Sequence, residues 1–308
     1  MFVFYREADF FQKLTIPLSS LVKSVKCVTL KQLEKENGAS RVNKKLIAID
    51  LDGTTLNTES QISKRTFDVL TRATKAGHYV TIATGRPFRM SDQFYRQLAL
   101  KTPMINFNGG LVHKPRQVWA NETEFSVSKE IAFELMAQKE NLNLDFVAAE
   151  NRETFFIDQL EGFDQRFFSS DSITEENLLK NMKSDPTSLL VKTQNEFAES
   201  VTLRINDQFN DTVDVRTWGG PHAILEIVPK GVHKALGLSV ISDYLKIDPK
   251  NIIAFGDEHN DLEMLEYAGW GVAMANGTAQ LKSIANDVTD KTNAEDGLAD
   301  YLENLLAL

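Results

Sequence analysis

Asp50 and Asp52 close a short apolar run, Leu46-Ile47-Ala48-Ile49, and open the turn Asp50-Leu51-Asp52-Gly53-Thr54. Carboxylates so placed could do two kinds of chemistry. One can attack phosphorus once the phosphoryl charge is neutralised. Another can protonate a leaving oxygen and later deprotonate a water. Asp50, ending the run, is the better-held nucleophile. Asp52, two residues on, points to the same side if the strand period continues, and suits the acid and base steps. Asp257 and Asp261 follow another apolar run, Ile252–Phe255. Carboxylates gathered in one place repel each other and resist desolvation, and a hard divalent cation relieves both costs. Oxygen ligands suit Mg²⁺, which shares its site with substrate phosphate. Thr84-Gly85-Arg86 offers a hydroxyl and backbone amides to phosphoryl oxygens. Lys230-Gly231-Val232-His233-Lys234 offers the positive charge of Lys234, and Asn260 offers a carboxamide. Singly, each residue has a plainer reading: Asp as turn or cap, Lys as solvated surface charge, Asn260 as helix cap. His233 and His259 are assigned no role. Four such clusters, each ending an apolar run or opening a helix, favour the functional reading.

The elements that would position these clusters are legible in outline. Leu46–Ile49 reads as a buried parallel strand because it is apolar throughout and bounded by a turn. Ser63 caps a helix running through Ala76, closed by Gly77. Tyr79–Ala83 is a second strand, followed by a helix bearing Phe94 and Leu98, a strand Met104–Phe107 and a turn at Asn108-Gly109-Gly110. After a different stretch, the alternation resumes at Ala223–Val228. It continues with a helix after Gly231, a strand Ile252–Phe255, a helix from Asn260, a strand near Gly271–Ala273 and a helix Gly297–Leu306. Strands alternating with helices imply a parallel sheet, and its ligands sit beyond the carboxyl ends of the strands.

Between about Val112 and Pro221 the pattern changes. Thr187–Lys192, Val201–Ile205 and Thr212–Thr217 alternate as antiparallel strands do, while Lys129–Glu140 and Glu175–Lys183 read as helices. The expected fold class is α/β: a Rossmann-like, mostly parallel sheet core formed by 44–112 and 222–308, with an inserted α+β cap at 113–221. Residues 1–43 form an extension without a motif, poorly ordered or docked through a helix around Leu18–Leu33.

Bulk composition bounds the function. Lys plus Arg is 34 and Asp plus Glu is 43 in 308 residues, a net charge of −9. Such a chain is a poor general binder of nucleic acid or anionic membrane and must neutralise an anionic substrate locally. The lone Cys27 excludes an intrachain disulfide and fits a reducing cytoplasm. No run approaches the roughly 18 apolar residues of a membrane span. Met1–Phe11, with Glu7 and Asp9, lacks the order of a secretory signal.

The set Asp50-Leu51-Asp52-Gly53-Thr54, Thr84-Gly85-Arg86, Lys234 and Gly256-Asp257 followed by Asn260-Asp261 resembles the four motifs of the haloacid dehalogenase superfamily, and within it the Cof-like phosphatases. Asn108-Gly109-Gly110, Pro229–Val232, Gly271–Met274 and Glu295-Asp296-Gly297 are similar to that branch too. The resemblance implies that Asp50 is the nucleophile and Asp52 the acid/base. Mg²⁺ would be held by Asp50, the backbone carbonyl of Asp52 and Asp257, with Asp261 supporting from behind. Leu51, Thr84, Gly85, Lys234 and Asn260 would hold the phosphoryl group of a small phosphate ester. Two positions depart from the pattern: Thr55, where Leu is commoner, and Ala275-Asn276-Gly277 in place of Gly-Asn-Ala. Phosphoryl transfer to a second substrate, as in phosphomutases, and a catalytically idle metabolite sensor are the alternatives. Sugar phosphates, nucleotides and cofactor phosphates are all open as substrates, and oligomeric state is equally open.

Overall fold

The computed structural model describes residues 44–159, 173–209, 211–217 and 223–308, with backbone only at 173–175. All of them belong to one compact unit, Asn43–Leu308. The expected extension 1–43, the possible helix Leu18–Leu33 and the Trp218-Gly219-Gly220 turn lie outside the described residues.

The described elements run β1 (Leu46–Ile49), α1 (Lys64–Lys75), β2 (Tyr79–Ile82), α2 (Phe88–Gln97), β3 (Met104–Asn106), β4 (Leu111–His113), β5 (Thr123–Glu124), α3 (Lys129–Ala137), β6 (Leu144–Glu150), β7 (Thr154–Ile157), β8 (Ile173–Glu176), α4 (Leu178–Asn181), β9 (Ser188–Thr193), α5 (Ala198–Phe209), β10 (Val213–Thr217), β11 (Ala223–Pro229), α6 (Lys234–Leu245), β12 (Ile252–Gly256), α7 (Leu262–Tyr267), β13 (Trp270–Ala273), α8 (Ala279–Ile284), β14 (Asp287–Val288) and α9 (Gly297–Leu306).

Strand β1 occupies the interior of a five-stranded parallel sheet ordered β14-β13-β12-β1-β2. Its alternate residues feed two cores. Ile47 and Ile49 pack with Val69 and Leu70 of α1 and Leu298 and Leu302 of α9. Leu46 and Ala48 pack with Leu238 and Ile241 of α6 and Met264 and Leu265 of α7. Burial on both faces is why the strand is apolar at every position. Ser63 caps α1 as expected, its hydroxyl accepting from the Thr66 amide. Past β2 a single parallel bridge, Ala83 to Ile105, brings β3 alongside, and β3 pairs antiparallel with β4, and β4 with β5.

A second sheet carries the cap. Its order is β10-β11-β9-β6-β7-β8, antiparallel except for the β7–β8 pair. Helices α3 and α5 cover one face through Ile131, Leu135, Val201 and Ile205. Three sequence expectations are corrected here. Ala223–Val228 does not resume the parallel sheet: as β11 it lies between β9 and β10. Val201–Ile205 is helical, because Val201 and Ile205 stand one turn apart and both bury against the sheet. Glu175–Lys183 is divided between the end of β8 and the short helix α4.

Cap and core meet through buried polar groups. Arg89 of α2 pairs with Glu150, the last residue of β6, at 2.8 Å, with both side chains buried. Burial raises the Glu150 carboxyl and Arg89 opposes that rise. Removing one partner strands the other, so Arg89→Met is expected to cost about 3–5 kcal/mol. The stranded carboxyl binds its proton more tightly folded than unfolded. The loss should therefore deepen as pH rises above the ordinary glutamate value of 4.5 and shrink below it. Urea titrations at several pH values read this directly, and an unchanged midpoint would contradict it.

Candidate active site

The sheet ends converge as its topology requires. Asp50 follows β1, and its amide still donates to the Phe255 carbonyl at 3.1 Å. Its own carbonyl accepts from the Thr55 hydroxyl. Thr55, unusual in the motif, thus pins the residue that the motif serves. Asp257 follows β12, and Asp261 sits on the turn leading into α7. Carboxylate oxygens of Asp50, Asp257 and Asp261 lie within 4.8 Å of one another, and all three residues are buried.

Lys234, the first residue of α6, is completely buried and reaches two of them. Its Nζ donates to Asp50 Oδ1 at 2.6 Å and to Asp261 Oδ1 at 2.7 Å. Burial opposes the ammonium, but Asp261 and Asp50 outweigh it and raise its pKa. Asp261 is saturated: its other oxygen accepts from the amides of Asp257 and Glu258. Burial drives the Asp50 carboxyl well above its ordinary value; Lys234 counteracts, while Asp261, Asp257 and Asp52 reinforce the rise. Burial, then Asp261, push Asp257 up to about 7, against the hydroxyl of Thr54 that donates to it at 2.8 Å. One ammonium among three carboxylates leaves the cluster short of positive charge. Hard oxygen donors with excess negative charge fit a divalent cation such as Mg²⁺.

Gly53 shows how tight the cluster is. It has φ +71°, and a Cβ there would lie 2.1 Å from Asp257 Oδ2. Gly53→Ala must therefore displace the carboxylate while straining the backbone. If Asp257 holds a divalent cation, disturbing the support of that ligand typically costs about 10–100-fold in metal affinity or activity, and a loss of that size is then expected. Mg²⁺ titration against activity measures it; a wild-type midpoint would show that Asp257 is not a metal group.

Asp52 sits in a tight turn, Leu51–Thr55, yet its own backbone stays extended at φ −74° and ψ 128°, like that of Asp50. Its side chain is more than half exposed and both oxygens bond Arg86, one to Nε at 2.6 Å. Its charge still acts on Asp50. Leu51 has its side chain in the core, leaving only backbone for a ligand. Thr84 is buried, and its hydroxyl accepts from the Arg86 amide at 3.1 Å. Gly85 abuts Asn108, and Asn260 Nδ2 donates to Asn108 Oδ1 at 3.0 Å. His233 caps α6 by accepting from the Leu236 amide, and His259 is exposed beside Glu258. Neither histidine reaches the cluster through a bond. Sequence reasoning gave no task to Arg86, Asn108, Thr54 or Glu226. The first three stood inside or beside quoted motifs, which was the available signal. Glu226, inside an apolar strand, gave none beyond being a charge at a buried position.

A doubly wound parallel sheet with acidic strand ends beneath an α+β cap defines the haloacid dehalogenase-like hydrolases. The chain belongs to that family, whose sequence profile matches residues 47–302. It is an enzyme of the phosphatase class. It is 39% identical over 265 residues to the 5-amino-6-(5-phospho-D-ribitylamino)uracil phosphatase YitU of Bacillus subtilis (strain 168), covering 85% of this chain and 98% of that one. A second B. subtilis protein with the same enzyme name, YwtE, is 30% identical, covering 85% and 98%. A crystal structure of a haloacid dehalogenase-like hydrolase from Bacteroides thetaiotaomicron superposes with a TM-score of 0.75 at 26% identity, covering 85% of this chain and 99% of its own. Among the described residues no helix is long and apolar enough to cross a membrane.

Proposed function

We propose that this enzyme is a Mg²⁺-dependent phosphatase that hydrolyses a small phosphorylated metabolite through an aspartyl-phosphate on Asp50. The observation that carries this reading is the buried Asp50 carboxylate, bonded to Lys234 at 2.6 Å and clustered with Asp257 and Asp261. Asp50, the Asp52 carbonyl and Asp257 would hold the ion, with Asp261 behind them; bound Mg²⁺ neutralises phosphoryl charge. Asp50 attacks phosphorus, and the bond from phosphorus to the ester oxygen breaks. The leaving oxygen takes a proton from Asp52. Asp52 then removes a proton from water, whose oxygen attacks phosphorus and releases inorganic phosphate and the regenerated Asp50. Arg86 engages both Asp52 oxygens, so one must be freed toward the leaving group. Lys234, Thr84, the backbone of Leu51 and Gly85, and Asn260 hold the phosphoryl oxygens.

The cap in this proposal spans 113–229, ending after β11, and a cytoplasmic setting belongs to the same proposal. The names of YitU and YwtE make 5-amino-6-(5-phospho-D-ribitylamino)uracil the proposed substrate. The test is phosphate release from that compound beside about a hundred other phosphorylated metabolites, with the organic product identified. Preference for another compound by a wide margin overturns the substrate. Quantitative transfer to a second hydroxyl, without phosphate release, overturns hydrolysis.

A further inference from the structure

We infer that Asn108 is a positioning residue for Asn260, and that Glu226 of the cap sets the polarity of both carboxamides. The inference rests on the phosphatase reading, in which Asn260 donates to a phosphoryl oxygen.

Asn108 lies in the turn after β3 and is buried, with φ 52° and ψ 31°. Its amide donates to the Thr84 carbonyl at 3.1 Å. Its side chain bridges two elements: Oδ1 accepts from Asn260 Nδ2 at 3.0 Å, and Nδ2 donates to Glu226 Oε2 at 3.0 Å. Glu226 is the central residue of β11 and is buried. Two glycines admit this bridge. A Cβ on Gly85 would lie 3.0 Å from Asn108 Nδ2, and one on Gly109, at φ +105°, would lie 2.3 Å from the carbonyl oxygen of His233, next to Lys234. The Asn108 turn is thus fitted against both phosphate-binding segments.

The bridge also has a direction. A carboxylate only accepts, whereas a carboxamide can turn either end to a neighbour. Glu226 therefore draws the Asn108 NH₂ to itself, which turns the Asn108 oxygen to Asn260. That oxygen in turn draws the Asn260 NH₂, leaving its second N–H as a donor on the active-site side. Without the chain of bonds, Asn260 is free to present its carbonyl to an anion instead.

A double-mutant cycle tests this. Phosphate release is measured on one turned-over substrate for wild type, Asn108→Gly, Asn260→Ala and the double variant. Glycine accepts the left-handed backbone without strain. Losing the Asn260 donor should lower kcat/KM on the order of a hundredfold, and misorienting it in Asn108→Gly on the order of tenfold. In the Asn260→Ala background, Asn108→Gly should have almost no further effect, because it acts only through Asn260. Glu226→Ala should behave like Asn108→Gly, and Glu226→Gln, whose carboxamide can turn either end to Asn108, should restore only part of the activity. Inhibition by inorganic phosphate should weaken in parallel. A factor for Asn108→Gly that is the same in both backgrounds overturns the inference. If Asn108→Gly does not fold, the cycle with Glu226→Ala decides by the same criterion. Asp50→Asn in the same assay separates the two levels: its retained activity sinks the phosphatase reading, whereas a dead Asp50→Asn with a multiplicative cycle sinks only this inference.

Discussion

Asp50→Asn is expected to lower turnover by at least about 10⁴-fold while the protein stays folded. Loss of a covalent nucleophile elsewhere has cost about 10⁶-fold. The substitution replaces one oxygen by NH₂ of the same shape, so packing around β1 is kept. The remaining amide oxygen can still accept from Lys234. The fold should tolerate it well, because burial, Asp261 and Asp257 all disfavour charge on Asp50. Removing one of three crowded carboxylates relieves repulsion, and the melting temperature should stay level or rise. The measurement is phosphate release under single-turnover conditions, paired with a thermal melt and intact-mass analysis to exclude deamidation. A variant retaining a tenth of wild-type activity would refute the nucleophile assignment.

Chelation should be equally complete. Treatment with EDTA is expected to abolish activity, and Mg²⁺ to restore it. Without a cation, Asp50, Asp257 and Asp261 share the single charge of Lys234, and Asp257 is pushed up to about 7. A proton there competes with metal, so apparent Mg²⁺ affinity should weaken as pH falls through about 7. The sign for stability runs oppositely in the metal-free protein. Asp257 holds its proton when folded but releases it near 3.8 when unfolded, so metal-free stability declines between 3.8 and about 7. Mg²⁺ at about a hundred times its Kd should add about 2.7 kcal/mol, and its effect on the melt should grow with pH over that interval. Undiminished turnover in EDTA would exclude the metal reading.

The interior of the parallel core was legible because its strands end in distinctive polar turns, whereas the two-residue edge strand β14 gave no signal. Leu46–Ile49 before Asp50 and Ile252–Phe255 before Asp257 need only length and apolarity to be recognised, and Ser63 marks its helix by a local bond. The cap was less legible for reasons of the same kind. Ala223–Val228 is apolar enough for either sheet, and partner strands far along the chain decide which. Val201 and Ile205 fit a strand's period of two and a helix's spacing of four, and packing against the cap sheet settles it. In the site, residue type showed which side chains carry charge, and the fold determined their partners. Position at the end of the run set Asp50 apart from Asp52, and the fold added the partners: one is buried on Lys234 and the other is exposed on Arg86. The Asn260–Asn108–Glu226 bridge joins segments more than a hundred residues apart, and no local spacing announces it.

Among the described residues the core and cap sheets have no strand in common, and the small β3-β4-β5 sheet shares none with either. Replacing residues along β6, β9 or β11 therefore sends no change of register into β1, where the chemistry is anchored. Disturbance can pass between them through side chains such as Arg89, which bonds Glu150 of β6, and Asn108, which bonds Glu226 of β11. The roof can therefore be rewritten around those two contacts while the strand that carries the floor keeps its place.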